Sequence, residues 1–280
     1  MPDRVRERVL ETYRLTADTY DRGVSERLGS SRWGIESLTG MLLGEMRVPE
    51  NPVALDIACG TGLSTFSLID YIVKGDVHGV DLSPEMVRKA VENADELDFN
   101  IEFKEGDVEN LPYPDGLFNM AISNMSFQFF PDKLRALKEI HRVMTPGGRM
   151  GHLFGGGKHV EELISICLDV SKGDPDLIGL REAVEDVVRL HIDLEAVQRL
   201  LWEAGFRKPF VYGYHRVMNV KPEDFWFGNP YPAYWTSSVP AENRAELDSR
   251  ILSEMKERSG PRGFKITWYT IQAYGSKPTD

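Results

Sequence analysis

Between residues 53 and 154 the chain alternates two patterns. Short apolar runs fall near 53–57, 77–81, 101–104, 118–123 and 149–154, and amphipathic stretches fall near 63–72, 84–95 and 132–144. The first kind reads as strands and the second as helices. Strands and helices in alternation predict an α/β fold with a mostly parallel sheet covered on both faces. Ser83 and Pro84 suit the cap and first position of one such helix. Ahead of this block, 3–21 sets Val5, Val9, Tyr13 and Ala17 on one helical side, with Tyr20-Asp21 as its end. A second helical pattern, 29–46, has Trp33, Leu38, Met41 and Leu42 as its apolar set. Beyond the block, 159–171, 181–204 and 241–258 read as helices, and 210–217 and 264–273 as an antiparallel closing pair of strands. The chain divides into a helical cap segment at 1–48, a main body at 49–218 and 263–280, and an insertion at 219–262 within the same domain.

The first strand runs into a turn, Asp56-Ile57-Ala58-Cys59-Gly60-Thr61-Gly62. Glycines at 60 and 62 admit positive φ and a close ligand. A dinucleotide site carries a third glycine and seats a pyrophosphate. Here Ser64 and Thr65 occupy the candidate places, and Asp56 would repel a phosphate. S-adenosylmethionine has no phosphate, and its ammonium and sulfonium both favour a carboxylate. Asp81 ends the second apolar run, where an acid can accept both ribose hydroxyls. Asp107 follows the third run and can accept from an adenine amino group.

Asp56-x-Ala58-x-Gly60-x-Gly62, Asp81, Gly106-Asp107-Val108 and Pro146-Gly147-Gly148 resemble the class I S-adenosylmethionine-dependent methyltransferases. Within that class they resemble the branch of the ubiquinone- and menaquinone-biosynthesis enzymes. The resemblance covers roughly 10–154. It implies a Rossmann-like, seven-stranded, mostly parallel sheet with an antiparallel last strand, and S-adenosylmethionine as cofactor. It also implies Tyr20 at the methionine end of the site, Leu82 and Met86 against adenine, and Val108 beside Asp107. Ala58 stands where the family's first loop glycine is usual, Asn119 where an acid is frequent, and Gln128 where histidine is frequent.

Ligands of such sheets bind beyond the strands' carboxyl ends, where Asp56, Asp81, Asp107 and Asn124 all fall. The stretch from Ser123 through Gln128 is expected to face the transferred methyl group, with Asn124 and Gln128 as catalytic candidates and Phe127 against substrate. His152 is the better base candidate, His159 a solvated loop residue, and Gly155-Gly156-Gly157 a flexible connection. Residues 222–235 hold Phe225, Trp226, Phe227, Tyr231, Tyr234 and Trp235. Some of these rings must pack the insertion, and Trp226 and Trp235 are expected to wall an apolar substrate pocket.

A net charge of −11 without a dense Lys/Arg run argues against a nucleic-acid partner. Two cysteines imply no disulfide framework, and no metal cluster is legible. The charged start lacks a signal-peptide core and no run reaches a membrane span, which points to a cytoplasmic protein with peripheral membrane contact and a homodimer left open. Methyl transfer from a sulfonium is an in-line displacement that needs positioning more than a strong catalytic group. The expected function is therefore methyl transfer to a small, fairly apolar acceptor. Three alternatives share the cofactor site: a cyclisation or rearrangement using the cofactor without transfer, a tRNA or protein methyltransferase, and a non-catalytic subunit.

Overall fold

The computed structural model describes residues 2–28, 35–72, 74–227 and 230–279; Trp33 lies outside them. Helix α1 (Pro2–Leu28) and α2 (Ile35–Glu45) precede β1 (Val53–Ile57), α3 (Leu63–Ile69), β2 (Asp76–Asp81), α4 (Pro84–Glu96), β3 (Glu102–Glu105) and β4 (Phe118–Asn124). Then come α5 (Lys133–Val143), β5 (Met144–Gly155), α6 (Glu161–Val170), α7 (Ile178–Leu190), α8 (Leu194–Glu203) and β6 (Arg207–Val220). The insertion carries α9 (Pro222–Trp226), α10 (Pro230–Thr236) and α11 (Ala241–Glu257), and β7 (Phe264–Ser276) follows. The strands form one seven-stranded sheet in the order β3-β2-β1-β4-β5-β7-β6. Strands β1 to β5 pair in parallel, and β7 runs antiparallel to both β5 and β6.

Alternation along the strands loads both faces of the sheet. Leu55, Ile57, Met150, Phe154 and Ile271 meet α5 and α8 through Leu137, Ile140, Val197 and Leu201. Ala54, Met120, Ile122 and Leu153 meet α2 and α3 through Leu42, Leu43 and Leu68. Two covered faces explain why β4 reads as a nearly continuous apolar run. Asn119 accepts from the Val53 amide at 2.9 Å and so ties β4 to the entry of β1.

A further core forms beside the sheet. Leu163, Ile166 and Cys167 of α6, Leu180, Val184 and Val187 of α7, and Leu247, Ile251 and Met255 of α11 enclose Trp226, Tyr231, Tyr234 and Trp235. The insertion is thus built into this core together with the 160–190 helices.

Several boundaries differ from the sequence expectation. The stretch 181–204 is two helices, because Asp193 accepts from the Ala196 amide and caps α8. Helix α1 does not stop at Tyr20-Asp21 but runs to Leu28. Its Asp21 carboxylate accepts instead from the Thr61 hydroxyl and from Asn93, so it fastens the helix to the body. The glycine run is packed: a Cβ on Gly155 would lie 2.7 Å from the Tyr231 hydroxyl, and one on Gly156 would lie 2.5 Å from Ile271.

Candidate cofactor and acceptor cleft

The turn after β1 owes its shape to three left-handed residues, Ala58 (φ 57°), Gly60 (φ 56°) and Gly62 (φ 92°). Cys59 donates its amide to the Val80 carbonyl at 3.1 Å, and Gly60 donates to Asp81 Oδ2 at 2.8 Å. The Ser83 amide holds Asp81 Oδ1 at 2.9 Å. The turn and the end of β2 therefore fix each other, and the Asp81 carboxylate is oriented by two backbone donors. Burial pushes its pKa up, and the backbone donors pull it part of the way back.

These groups open onto a cleft of about 900 Å3, counted to its mouth. Tyr20, Ala58, Gly60, Asp81, Leu82, Met86, Asp107, Val108 and Asn124, all singled out in the sequence, line it. They come from α1, the first turn, the end of β2, α4, the loop after β3 and the end of β4. Helix α1 crosses the opening and adds Arg6, Val9 and Tyr13, and the loop after β4 adds Met125, Ser126, Phe129, Phe130 and Pro131. Its lining combines the charged groups Asp81, Asp107 and Arg6 with the ring of Tyr13 and the apolar side chains Val9, Met125, Phe129, Phe130 and Pro131.

Arg6 was not legible as a site residue. Its Nε donates to Asp107 Oδ2 at 3.1 Å, and its guanidinium lies 2.5 Å from Glu109. Glu109 also donates its amide to Asp107 Oδ1 at 2.8 Å, so the Asp107 carboxylate is held from both sides. Lys133 was missed too. Its buried ammonium donates to the Phe130 carbonyl at 2.9 Å and lies over the Phe127 ring, which pins the turn that carries Phe129 and Phe130 to the cleft. Burial brings its pKa down to about 7.

Seven of the sequence-derived candidates are not on the wall. Asp56 lies behind it, buried on β1. Its Oδ2 accepts from Thr65 at 2.7 Å, while Oδ1 is enclosed without a partner. Burial, with Asp81 nearby, raises its pKa to about 7 against the pull of the Thr65 bond. Gly62 caps α3 above the Phe66 ring and does not reach the cleft. Phe127 and Gln128 turn inward: Phe127 packs at a tilt against Phe154 and His152 in the core, and Gln128 donates to the Met125 carbonyl. The side chains that do face the cleft are Phe129 and Phe130, because the chain enters a short 3-10 turn there rather than extending β4. His152 is enclosed by Phe127 and Phe130, neither ring nitrogen has a partner, and burial brings its pKa down to about 3. A neutral, enclosed imidazole is no base for a group in the cleft. His159 is not solvated either: it is buried between Tyr231 and Trp268 and bonds the Tyr269 carbonyl through Nδ1 at 2.7 Å. Trp226 and Trp235 belong to the second core, where Trp226 Nε1 donates to Asp248 at 2.7 Å.

The residues fit a cofactor that is cationic at one end and carries a ribose and a base. Acids at the end of β2 and in the loop after β3 face the cleft, the turn lets a ligand approach the backbone at Gly60, and Asp56 behind the wall keeps an unsatisfied buried oxygen. Among the described residues no group of acids, histidines and cysteines could hold a metal ion.

Residues 54–148 match a family model described as a methyltransferase domain. A demethylmenaquinone methyltransferase of Geobacillus sp. is 30% identical over 139 residues, 49% of this chain and 52% of that protein. The demethylmenaquinone methyltransferase of Anoxybacillus flavithermus is 29% identical over 181 residues, 63% of this chain and 67% of its own length. The chain thus spans about half of the first relative and about two thirds of the second. A S-adenosylmethionine-dependent methyltransferase from Aquifex aeolicus shares the fold with a TM-score of 0.54 at 17% identity, covering 93% of this chain and 97% of that one.

Proposed function

We propose that this chain, whose residues 54–148 match a methyltransferase domain and which is similar to demethylmenaquinone methyltransferases over 49% to 63% of its length, is a class I enzyme of the menaquinone and ubiquinone type that moves a methyl group from S-adenosylmethionine to a small, largely apolar acceptor. The observation that carries the reading is a single cleft lined both by the acids Asp81 and Asp107 and by a set of apolar side chains. Asp81 takes the ribose hydroxyls, since each of its oxygens has accepting capacity beyond the backbone bond that orients it. Asp107 takes the adenine amino group, with Leu82, Met86 and Val108 against the ring. Tyr20 and Asn124 stand at the methionine end, and Asp56 supplies negative potential from behind the turn.

When bound, the cofactor supplies a methyl group already activated on a sulfonium. The chain's own contribution is position and the exclusion of water. Helix α1 roofs the cleft, and Phe129, Phe130 and Pro131 present a dry wall to the acceptor. The cation lining the cleft, Arg6, is already paired with Asp107 and Glu109, which favours an acceptor without a strong negative charge. A small-molecule acceptor, in preference to a nucleic acid, also agrees with the net charge of −11.

Calorimetric titration with S-adenosylmethionine and S-adenosylhomocysteine tests this. About micromolar binding of both is expected, weakened about tenfold or more in Asp81→Asn. A folded protein that binds neither ligand overturns the reading.

A further inference from the structure

Strand β6 ends the sheet, and among the described residues no strand pairs its outer side. An open edge of 14 residues invites a partner strand. This one carries the features that blunt such pairing. Pro209 has no amide to donate, Lys208 sits in a left-handed conformation (φ 50°), and the register with β7 shifts between Arg207 and Phe210. The edge is thus poorly made for adding a strand from a second copy or from a peptide.

It is nevertheless apolar. On one face of the edge Phe210 is 53% exposed and Tyr214 40%; on the other are Val217, 46%, and Trp202 at the end of the adjoining α8, 49%. Phe210 and Tyr212 lie 5.3 Å apart, and both rings reach Tyr274 of β7, so they form a supported aromatic strip rather than loose side chains. The strip is also cationic. From 207 to 221 the sequence has Arg207, Lys208, Arg216 and Lys221 and no acid, in a chain whose net charge is −11. Arg207 lies over the Trp202 ring at 5.2 Å. The acids bordering the strip are Glu45, which faces Tyr212, and Glu203 beside Trp202.

We propose that the β6 edge is a docking surface for an anionic lipid bilayer. Phe210, Tyr214 and Trp202 would enter the interfacial layer, with Arg207 and Lys208 on the head groups. Amphipathic rings favour the boundary between head group and acyl chain. Cations beside them gain from the negative surface potential, while the acidic remainder of the molecule is repelled and so sets one orientation. Self-pairing through this edge would bring two cationic strands together, which charge disfavours. Strand β6 runs antiparallel to β7, as β5 does, so its carboxyl end lies at the cleft's end of the sheet and Arg207, Lys208 and Phe210, at its amino end, lie at the other. Docking through these residues leaves the mouth of the cleft uncovered.

The test is sedimentation of the full chain with phosphatidylcholine vesicles, with and without phosphatidylglycerol, at low and high salt. Two variants accompany the wild type: Phe210→Ser/Tyr214→Ser and Arg207→Glu/Lys208→Glu. Wild type should bind the phosphatidylglycerol vesicles, less at high salt, and each variant should bind about tenfold more weakly. Titration with S-adenosylhomocysteine should be the same for all three proteins, which separates docking from folding and from the cofactor reading. Absence of vesicle binding, or binding equal in wild type and both variants, overturns the proposal. So does a dimer in light scattering that the variants dissociate while vesicle binding is absent; the edge is then an interface between copies.

Discussion

At the scale of single residues, the first turn has two features that can be measured. Ala58 holds φ 57°, a region where a Cβ costs about 1 kcal/mol relative to glycine. Ala58→Gly should therefore raise the unfolding free energy by about 1 kcal/mol in thermal or urea denaturation, without loss of ligand affinity. Asp56 has its folded pKa raised to about 7 by burial. An acid raised in this way binds more protons folded than unfolded. Its contribution to stability is full below the ordinary carboxylate range and is lost as pH rises through about 7. Melting of the ligand-free protein between about pH 5 and 8 should show that decline, and Asp56→Asn should flatten it. A cationic ligand favours the ionised carboxylate, so stabilisation by S-adenosylmethionine should grow over the interval from about pH 6 to 7 in wild type and not in the variant.

At the scale of elements, α1 is a roof fastened along its length. Arg4 and Arg8 both bond Asp186 of α7, at 2.6 and 3.1 Å, and Asp186 is wholly buried. Burial alone would push that carboxyl up, but the two guanidinium bonds outweigh it and hold it below its ordinary value. Its stabilising contribution is thus present above the ordinary carboxylate range and is lost as pH falls through the folded value. Asp186→Ala leaves the buried Arg8 with the Ser238 hydroxyl but no carboxylate, and should cost about 3–5 kcal/mol in denaturant unfolding. It should also free the amino-terminal end of α1 to limited proteolysis. In the insertion, Trp226→Ala removes a core side chain and should cost about 3–5 kcal/mol. Because Trp226 does not line the cleft, acceptor KM should stay within about twofold at temperatures where the variant is folded.

At the scale of the whole molecule, the sheet and its order of elements were legible because period-two and helical patterns survive wherever both faces are buried. The cleft's cofactor side was legible for a related reason: glycines and acids at strand ends have few other uses, and Asp81, Asp107 and Gly60 meet as their spacing implied. What the sequence hid depends on direction. Phe127 and Phe129 are both aromatic in one short segment, and only the 3-10 turn decides that the second faces the cleft. Arg6 looks like any cation on an amphipathic helix until α1 is laid across Asp107. The tryptophans of the insertion looked like a pocket wall because a dense aromatic run reads the same whether it encloses a ligand or a core. Here α6, α7 and α11 close around it.

Strand β7 comes after β6 in the chain yet lies between β6 and β5. During synthesis β6 therefore emerges before β7, the strand it pairs with, and it waits through the whole of the insertion. At roughly 5–20 residues per second that delay lasts a few seconds. For this interval the aromatic strip is a nascent segment unpaired on both sides, and the late strand that pairs with it must enter between it and β5. The ribosome-bound chain is thus most in need of a chaperone between the appearance of Val220 and that of Phe264.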